Sequence, residues 1–171
     1  MGDRSVTVVS PAGPGSAIRS AVPADLDHLW ALEQAVFDVD AQSRRSLRWL
    51  LMRANADLRV IATPAADDPI AACSITLFRA NSRVARLYSI AVAAQARGQG
   101  MAGRLLHDAI RRAANRGCRV MRAEARVSNT ASRGLFAAAG FTETQRLVAY
   151  YPGPADGVRM QRSLEEDDTH G

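Results

Sequence analysis

One stretch constrains this chain more than any other. The apolar run VARLYSIAV, residues 84–92, leads through the glycine-rich AAQARGQG into a helical pattern over residues 100–115. In that pattern Leu105, Leu106, Ala109, Ile110 and Ala113 recur at helical spacing, so a strand, a tight turn and an amphipathic helix follow one another. Gly98 and Gly100 let the backbone turn sharply and approach a ligand closely. The helix start presents unpaired N–H groups and the positive end of its dipole, and Arg97 adds a full charge beside it. Such a turn is suited to an anion. The plainer alternative is a glycine-rich βα connection that binds nothing.

The flanking sequence alternates strand and helix patterns without an internal repeat. Strands are expected at 17–22, 58–63, 70–78, 84–92, 118–125, 141–148 and 158–164. The Asp-Asp-Pro at 67–69 suits a hairpin turn between the second and third. Pro23 opens a helical stretch carrying Leu26, Leu29, Trp30, Val36 and Phe37. Ser43 is placed to cap a second helix, and Ser128 or Asn129 to cap a fourth. The sum is a mixed α/β (α+β) domain, with an antiparallel front half, a central βαβ unit, about six to seven strands and helices on both faces. Residues 1–15, rich in Gly, Pro and Ser, read as a flexible tail, 16–164 as a single domain, and 165–171 (EEDDTHG) as an acidic tail.

Composition narrows the function classes. The 171 residues are 47% apolar and 23% charged, ordinary for a globular chain able to bury its own core. There is no apolar run of bilayer length, and the first residues do not read as a secretory signal. Cys73 and Cys118 form no framework, and their strand positions suggest small core residues, which fits a reducing cytoplasm. His28, His107 and His170 have no metal-ligand spacing, so no metal is expected. The net charge is +5 and all 22 basic residues are arginine, scattered along the chain among few aromatics. That pattern indicates no dedicated nucleic-acid surface, although an RNA-associated basic protein stays open. Arg44, Arg45 and Arg48 cluster on the second helix, as a solvated face does.

Read literally, Gly98-Gln99-Gly100-Met101-Ala102-Gly103 matches GxGxxG, and Glu124 lies where a dinucleotide fold wants its acidic residue. Too few strands follow for the second half of such a fold, however, and the last two read as a hairpin. Shifted by one residue, Arg97-Gly98-Gln99-Gly100-Met101-Ala102 resembles the R/Q-x-x-G-x-G/A loop of the GNAT (GCN5-related) N-acetyltransferases. RLYSIAV is similar to the strand before that loop. EARVSNTASRGLFAAAGF, residues 124–141, resembles the family's E-x-R-x-x-N-x-x-A-x-x-L-Y-x-x-x-G-F segment nearly position for position. Arg146, Tyr150-Tyr151 and VRMQRSL resemble the closing hairpin of the branch that acetylates the N-terminal alanine of a ribosomal protein. The resemblance covers residues 16–164.

It implies the GNAT fold and acetyl-CoA as cosubstrate. The pyrophosphate would rest on the amides of Arg97, Gly98, Gln99, Gly100, Met101 and Ala102. The backbone of Ile90, Ala91 and Val92 would pair with the pantetheine arm, as a peptide adds to a sheet edge. Asn129 matches a residue that contacts that arm, or it is a helix cap. Glu124 matches the general base, which takes the amine's proton directly or through a water. Its alternative is a charge ladder with Arg122 and Arg126 on one strand face, which would weaken it as a base. Phe136 also falls against the cosubstrate, but it stands where the family carries the tyrosine that protonates the departing thiolate, and phenylalanine has no proton to give. Tyr150 and Tyr151 are candidates to replace it, Tyr88 is a third, and water is another. Tyr88, Tyr150 and Tyr151 are assigned to positioning the acceptor, against packing at a hairpin mouth.

The acceptor expected is a primary amine. A protein or peptide N-terminus is favoured, because its pKa of about 7.7–8.0 leaves a sizeable fraction unprotonated near neutrality, against about 10.4 for lysine. An antibiotic or polyamine acceptor, or a non-catalytic acyl-CoA-binding protein, are the alternatives. A monomer or homodimer, free of membrane, completes the expectation.

Overall fold

The computed structural model describes residues 17–63 and 70–165. The expected N-terminal tail, the Asp-Asp-Pro turn, and all of the acidic tail except Glu165 lie outside the described residues. Seven strands form one sheet: β1 (Ile18–Ser20), β2 (Ala56–Ala62), β3 (Ile70–Leu77), β4 (Val84–Val92), β5 (Val120–Arg126), β6 (Thr142–Tyr151) and β7 (Ala155–Ser163). Four α-helices accompany them: α1 (Leu26–Phe37), α2 (Arg44–Leu51), α3 (Met101–Asn115) and α4 (Thr130–Ala138). The strand order is β1-β2-β3-β4-β5-β7-β6. Among the described residues only β4 and β5 run parallel, and α3 connects them. The expected mixed α/β architecture, antiparallel in front with a central βαβ unit, is therefore what the chain adopts.

Local chemistry accounts for the main boundaries. The Ser43 hydroxyl accepts from the Ser46 N–H at 3.0 Å and opens α2. The Asn129 carboxamide accepts from the Ser132 N–H at 3.0 Å and opens α4. Each satisfies a donor that the first helical turn leaves orphaned. Central strand β3 is buried from Ile70 through Thr76, which suits its small and apolar IAACSIT sequence over an alternating one. Strand β5 does alternate: Met121, Ala123 and Ala125 face inward, while Arg122, Glu124 and Arg126 take the other face.

Two hydrophobic clusters lock the sheet. In the first, Leu29, Leu32 and Leu47 of α1 and α2 meet Val60, Ile61, Cys73 and Ile75, with Leu105 of α3. In the second, Leu106, Ala109 and Ala113 of α3 gather with Ala85, Leu87, Met121, Ala123, Phe136 and Phe141. Each fully buried leucine or isoleucine contributes about 1.5–3 kcal/mol. Helix α3 is also tied to β2 by ion pairs, Arg59 to Asp108 at 2.9 Å and Arg112 to Asp57.

A bulge and a strand divergence break the regularity of the sheet at its centre. The β3–β4 register jumps from Ile75↔Ser89 to Thr76↔Leu87, leaving Tyr88 as an extra residue on β4. Beyond that bulge β4 and β5 part. Their parallel ladder covers only Val84–Leu87 against Val120–Ala123. Strand β5 stays paired to β7 as far as Arg126↔Gly157. The sheet thus opens into a V between Tyr88–Val92 on one arm and Glu124–Arg126 on the other.

The closing hairpin is longer than its sequence suggests. The expected connection YYPGPADG shrinks to residues 152–154, because Tyr150 and Tyr151 finish β6 while residues 155–157 begin β7. Asp156 makes this extension workable. Its carboxylate accepts from the Ala149 N–H at 2.9 Å and pairs with Arg146 at 2.8 Å. These contacts hold the Asp156 carboxyl below its usual range.

Candidate active site

The V is built from backbone on one arm and from side chains at its base. On β4, residues 89–92 stay paired to β3, while no ladder joins their other edge to β5 among the described residues. That edge offers backbone donors and acceptors to an extended, amide-bearing ligand. The strand then runs through a short turn, Ala94–Ala96, into exposed Arg97, Gly98, Gln99 and Gly100. Gly100 is the N-cap of α3 at φ +74, and Gly98 lies at φ +78. A side chain at such a φ costs about 1–2 kcal/mol, so glycine is the residue the turn requires. No capping side chain covers the helix start. The first N–H groups of a fifteen-residue helix consequently face outward beside Arg97, the arrangement that favours a phosphate. The Met101 side chain is buried in the core, so only its backbone faces the turn.

At the base of the V, Arg86 of β4 gathers the polar side chains. Its Nε donates to Glu124 Oε2 at 3.1 Å, and its guanidinium reaches the Tyr150 hydroxyl at 3.2 Å. It also lies over the Tyr88 ring, 5.3 Å from the centroid. Arg159 of β7 donates to the other Glu124 oxygen at 3.4 Å. The Glu124 side chain is only 8% exposed, so it is a nearly buried carboxylate between two cations and not part of a solvated ladder. The strand-face neighbours read from sequence, Arg122 and Arg126, turn elsewhere. Arg122 donates to Gln161 at 3.0 Å, and Arg126 pairs with Asp40 at 2.7 Å. The arginines that reach Glu124 come from adjacent strands.

Three tyrosines surround this point. The Tyr88 hydroxyl accepts from Gln42 Nε2 at 2.8 Å. Tyr150 and Tyr151 meet edge to face at 5.0 Å. Tyr150 is exposed, whereas burial pushes the half-buried Tyr151 phenol up to about 12. The bulge that delivers them leaves Ala149 at φ +50, held there by Asp156. Gly157 is needed opposite: a Cβ there would meet the Tyr151 ring at 2.8 Å and the Ala125 carbonyl at 3.3 Å.

Phe136 is 6% exposed and packs on Phe141 at 5.6 Å between ring centroids. Its ring is a core element on α4, with no hydroxyl to offer. Asn129 serves as the α4 cap. Ile90 and Val92 are half-buried and Ala91 buried, with the free backbone edge common to all three. Both cysteines are buried and burial pushes their thiols up, which disfavours a thiolate nucleophile. Among the described residues no cluster of metal-binding side chains occurs, and no helix is long and apolar enough to cross a membrane.

Sequence reasoning missed Arg86, Arg159, Gln42 and Glu33. The Glu33 carboxylate on α1 is buried, accepts from the Gln42 N–H at 3.1 Å and from the Ser89 hydroxyl at 3.2 Å, and is raised above its ordinary range chiefly by burial. It therefore links α1, the segment before α2 and the bulged strand. No local motif announces these residues, because each finds its partner through strand register or helix docking.

Comparison with known proteins agrees with this geometry. Residues 25–141 match the model of the acetyltransferase (GNAT) family. An aminoglycoside N(6')-acetyltransferase type 1 of Serratia marcescens is 40% identical over 70 residues, 41% of this chain and 48% of that protein. The matched segment thus spans about half of that relative. The ribosomal-protein-S18-alanine N-acetyltransferase from Escherichia coli shares the fold at TM-score 0.79 and 24% identity, over 91% of this chain and 98% of that one. A NatC complex solved with Gag peptide and CoA superposes at TM-score 0.72 and 20% identity, over 87% and 98%.

Proposed function

The chain belongs to the GNAT family of acetyltransferases, and we propose that it moves the acetyl group of acetyl-CoA directly onto a primary amine, the N-terminal α-amine of a protein or peptide. The observation that carries this reading is the V itself, with a free β4 edge and an open helix start on one arm and Glu124 at the base. Glycine backbone and Arg97 hold the pyrophosphate, while the edge at Ile90, Ala91 and Val92 aligns the pantetheine amides. Asn129 borders the arm through the cap it forms. The Phe136 ring closes the wall from the core side.

Bound acetyl-CoA supplies the activated acyl carbon, and the amine forms a bond to it as the bond to sulfur breaks. Glu124 takes the amine's proton, directly or through one water, and in doing so gives up an arginine hydrogen bond. That cost favours an acceptor with a sizeable neutral fraction at working pH, which an α-amine has and a lysine lacks. Tyr150 takes the place of the missing tyrosine at Phe136 and returns a proton to the thiolate. Its hydroxyl shares Arg86 with Glu124, so donor and base stand on one guanidinium. Tyr88 and Tyr151 flank the acceptor.

A second reading, a CoA-binding module without turnover, rests on buried Phe136 and on the arginine hold on both Glu124 oxygens. One experiment separates the two. Acetyl-CoA-dependent thiol release is followed with Ala- and Ser-starting peptides, polyamines and aminoglycosides, and acetyl-CoA affinity is measured on the same sample. Turnover on peptides is expected. Tight binding with no thiol released against any amine would leave only the module.

A further inference from the structure

A cavity of about 460 Å³ opens beside Glu124 and Tyr150, on the side away from the glycine turn, and its charge is lopsided. Arg53, Arg79, Arg86, Arg122 and Arg159 line it, and among the described residues Glu124 is the single carboxylate in the lining. Two of the five arginines are spent on that carboxylate. The others have no acidic counterpart there. Arg53 donates to the neutral Asn55 carboxamide at 2.9 Å and stacks on Trp49 at 3.9 Å from the ring centroid. Arg122 donates to the neutral Gln161. Arg79 also lines the cavity and is exposed, in no ion pair with a carboxylate among the described residues.

We infer that the acceptor is anionic: a primary amine with carboxylate or similarly charged groups within a few residues or bonds of the nitrogen, seated in this arginine-lined cavity. The inference rests on the acetyltransferase reading above and names its substrate class. Three guanidiniums without acidic partners make planar, two-pronged sites for carboxylates. The same field repels a polycation, and like charges facing each other across a contact weigh heavily against the wrong partner. It also disfavours the ammonium form of the incoming amine, which lightens the proton transfer asked of Glu124. An aminoglycoside or polyamine is thus the acceptor this cavity suits least. The pull on an acidic acceptor is electrostatic and partly exposed, so salt should weaken it.

The test uses the full chain, saturating acetyl-CoA and three sets of acceptors. These are Ala-starting peptides matched in length with acidic, neutral or basic residues at positions two to four, free amino acids with and without a second carboxylate, and an aminoglycoside. The expected result is a kcat/KM at least tenfold higher for acidic than for basic peptides, falling as salt rises. If a free dicarboxylic amino acid shares the advantage the natural acceptor is a small molecule, and if only peptides do it is a protein terminus. Arg79→Gln with Arg122→Gln, both at solvent-reaching positions, should raise KM for the acidic peptide more than for the neutral one, without changing acetyl-CoA affinity. Turnover equal across charges, or best on the basic peptide or aminoglycoside, overturns the inference and leaves the enzyme reading standing. Silence with every amine despite acetyl-CoA binding overturns both.

Discussion

The two arms of the V use different materials. The β4–α3 arm works through backbone: a free strand edge, two glycines at positive φ and uncapped N–H groups, with Arg97 the one charged side chain among them. The base and the β5–β7–β6 side work through side chains, with Glu124, Arg159 and Tyr150 from that side meeting Arg86 of β4. Backbone can grip what every family member shares, because its geometry hardly depends on the surrounding sequence. Side chains drawn from several strands can be exchanged one at a time, which is how a single fold serves many acceptors.

If the arms are this separate, damage on one should leave the other's readout untouched. Glu124→Gln should have the largest effect, lowering kcat by about 10²-fold or more while acetyl-CoA affinity stays put. An unchanged rate across pH would remove Glu124 from the chemistry. Gly100→Ala acts on the opposite arm. Forcing a side chain into the left-handed region costs about 1–2 kcal/mol, so acetyl-CoA binding should weaken about tenfold, as titration calorimetry would show. Tyr150→Phe should cut kcat by about tenfold at constant acetyl-CoA affinity, less than the roughly 10²-fold or more a positioned acid contributes, because water replaces an exposed phenol in part. A milder and purely geometric perturbation is Gly157→Ala, which must displace the Tyr151 ring. A loss of a few-fold in kcat/KM for the acceptor is expected, with the cosubstrate bound as before.

The smallest expected effect concerns Glu33, where α1 meets the bulge of β4. Burial raises its carboxyl above the ordinary value of 4.5, so the folded state holds a proton that the unfolded chain releases. Its neutral form is fully favourable below that ordinary value, and stability declines as pH rises through the folded one. Glu33→Gln should therefore raise the midpoint of thermal unfolding at pH 7 by a few degrees and bring no gain at pH 4, as melting curves at the two pH values would reveal.

Much of the β4–α3 arm was legible in the chain. Strand β4 follows VARLYSIAV to the residue, α3 begins one residue after the expected Gly100, and Ser43 and Asn129 cap the helices their positions suggested. These features are local: a period, a turn residue and a cap each depend on a few neighbours. Glu124 was also legible as a candidate, but its surroundings were not. Alternation along β5 pointed to Arg122 and Arg126 as its neighbours, whereas pairing with β4 and β7 brought Arg86 and Arg159. The hairpin, likewise, came out three residues longer on β6, because Asp156 ties Ala149 and Arg146 across the ladder.

The sequence by itself determined the glycine turn, the order of strands and helices, and the presence of one well-placed carboxylate. It did so because φ preference, hydrophobic period and capping act over three or four residues. The tertiary structure alone decided that β4 and β5 part after Leu87, that Arg86 holds Glu124 and Tyr150 together, and that five arginines share one cavity with Glu124. Those outcomes depend on the register of strands far apart in the chain, where a shift of one residue sends every side chain to the opposite face.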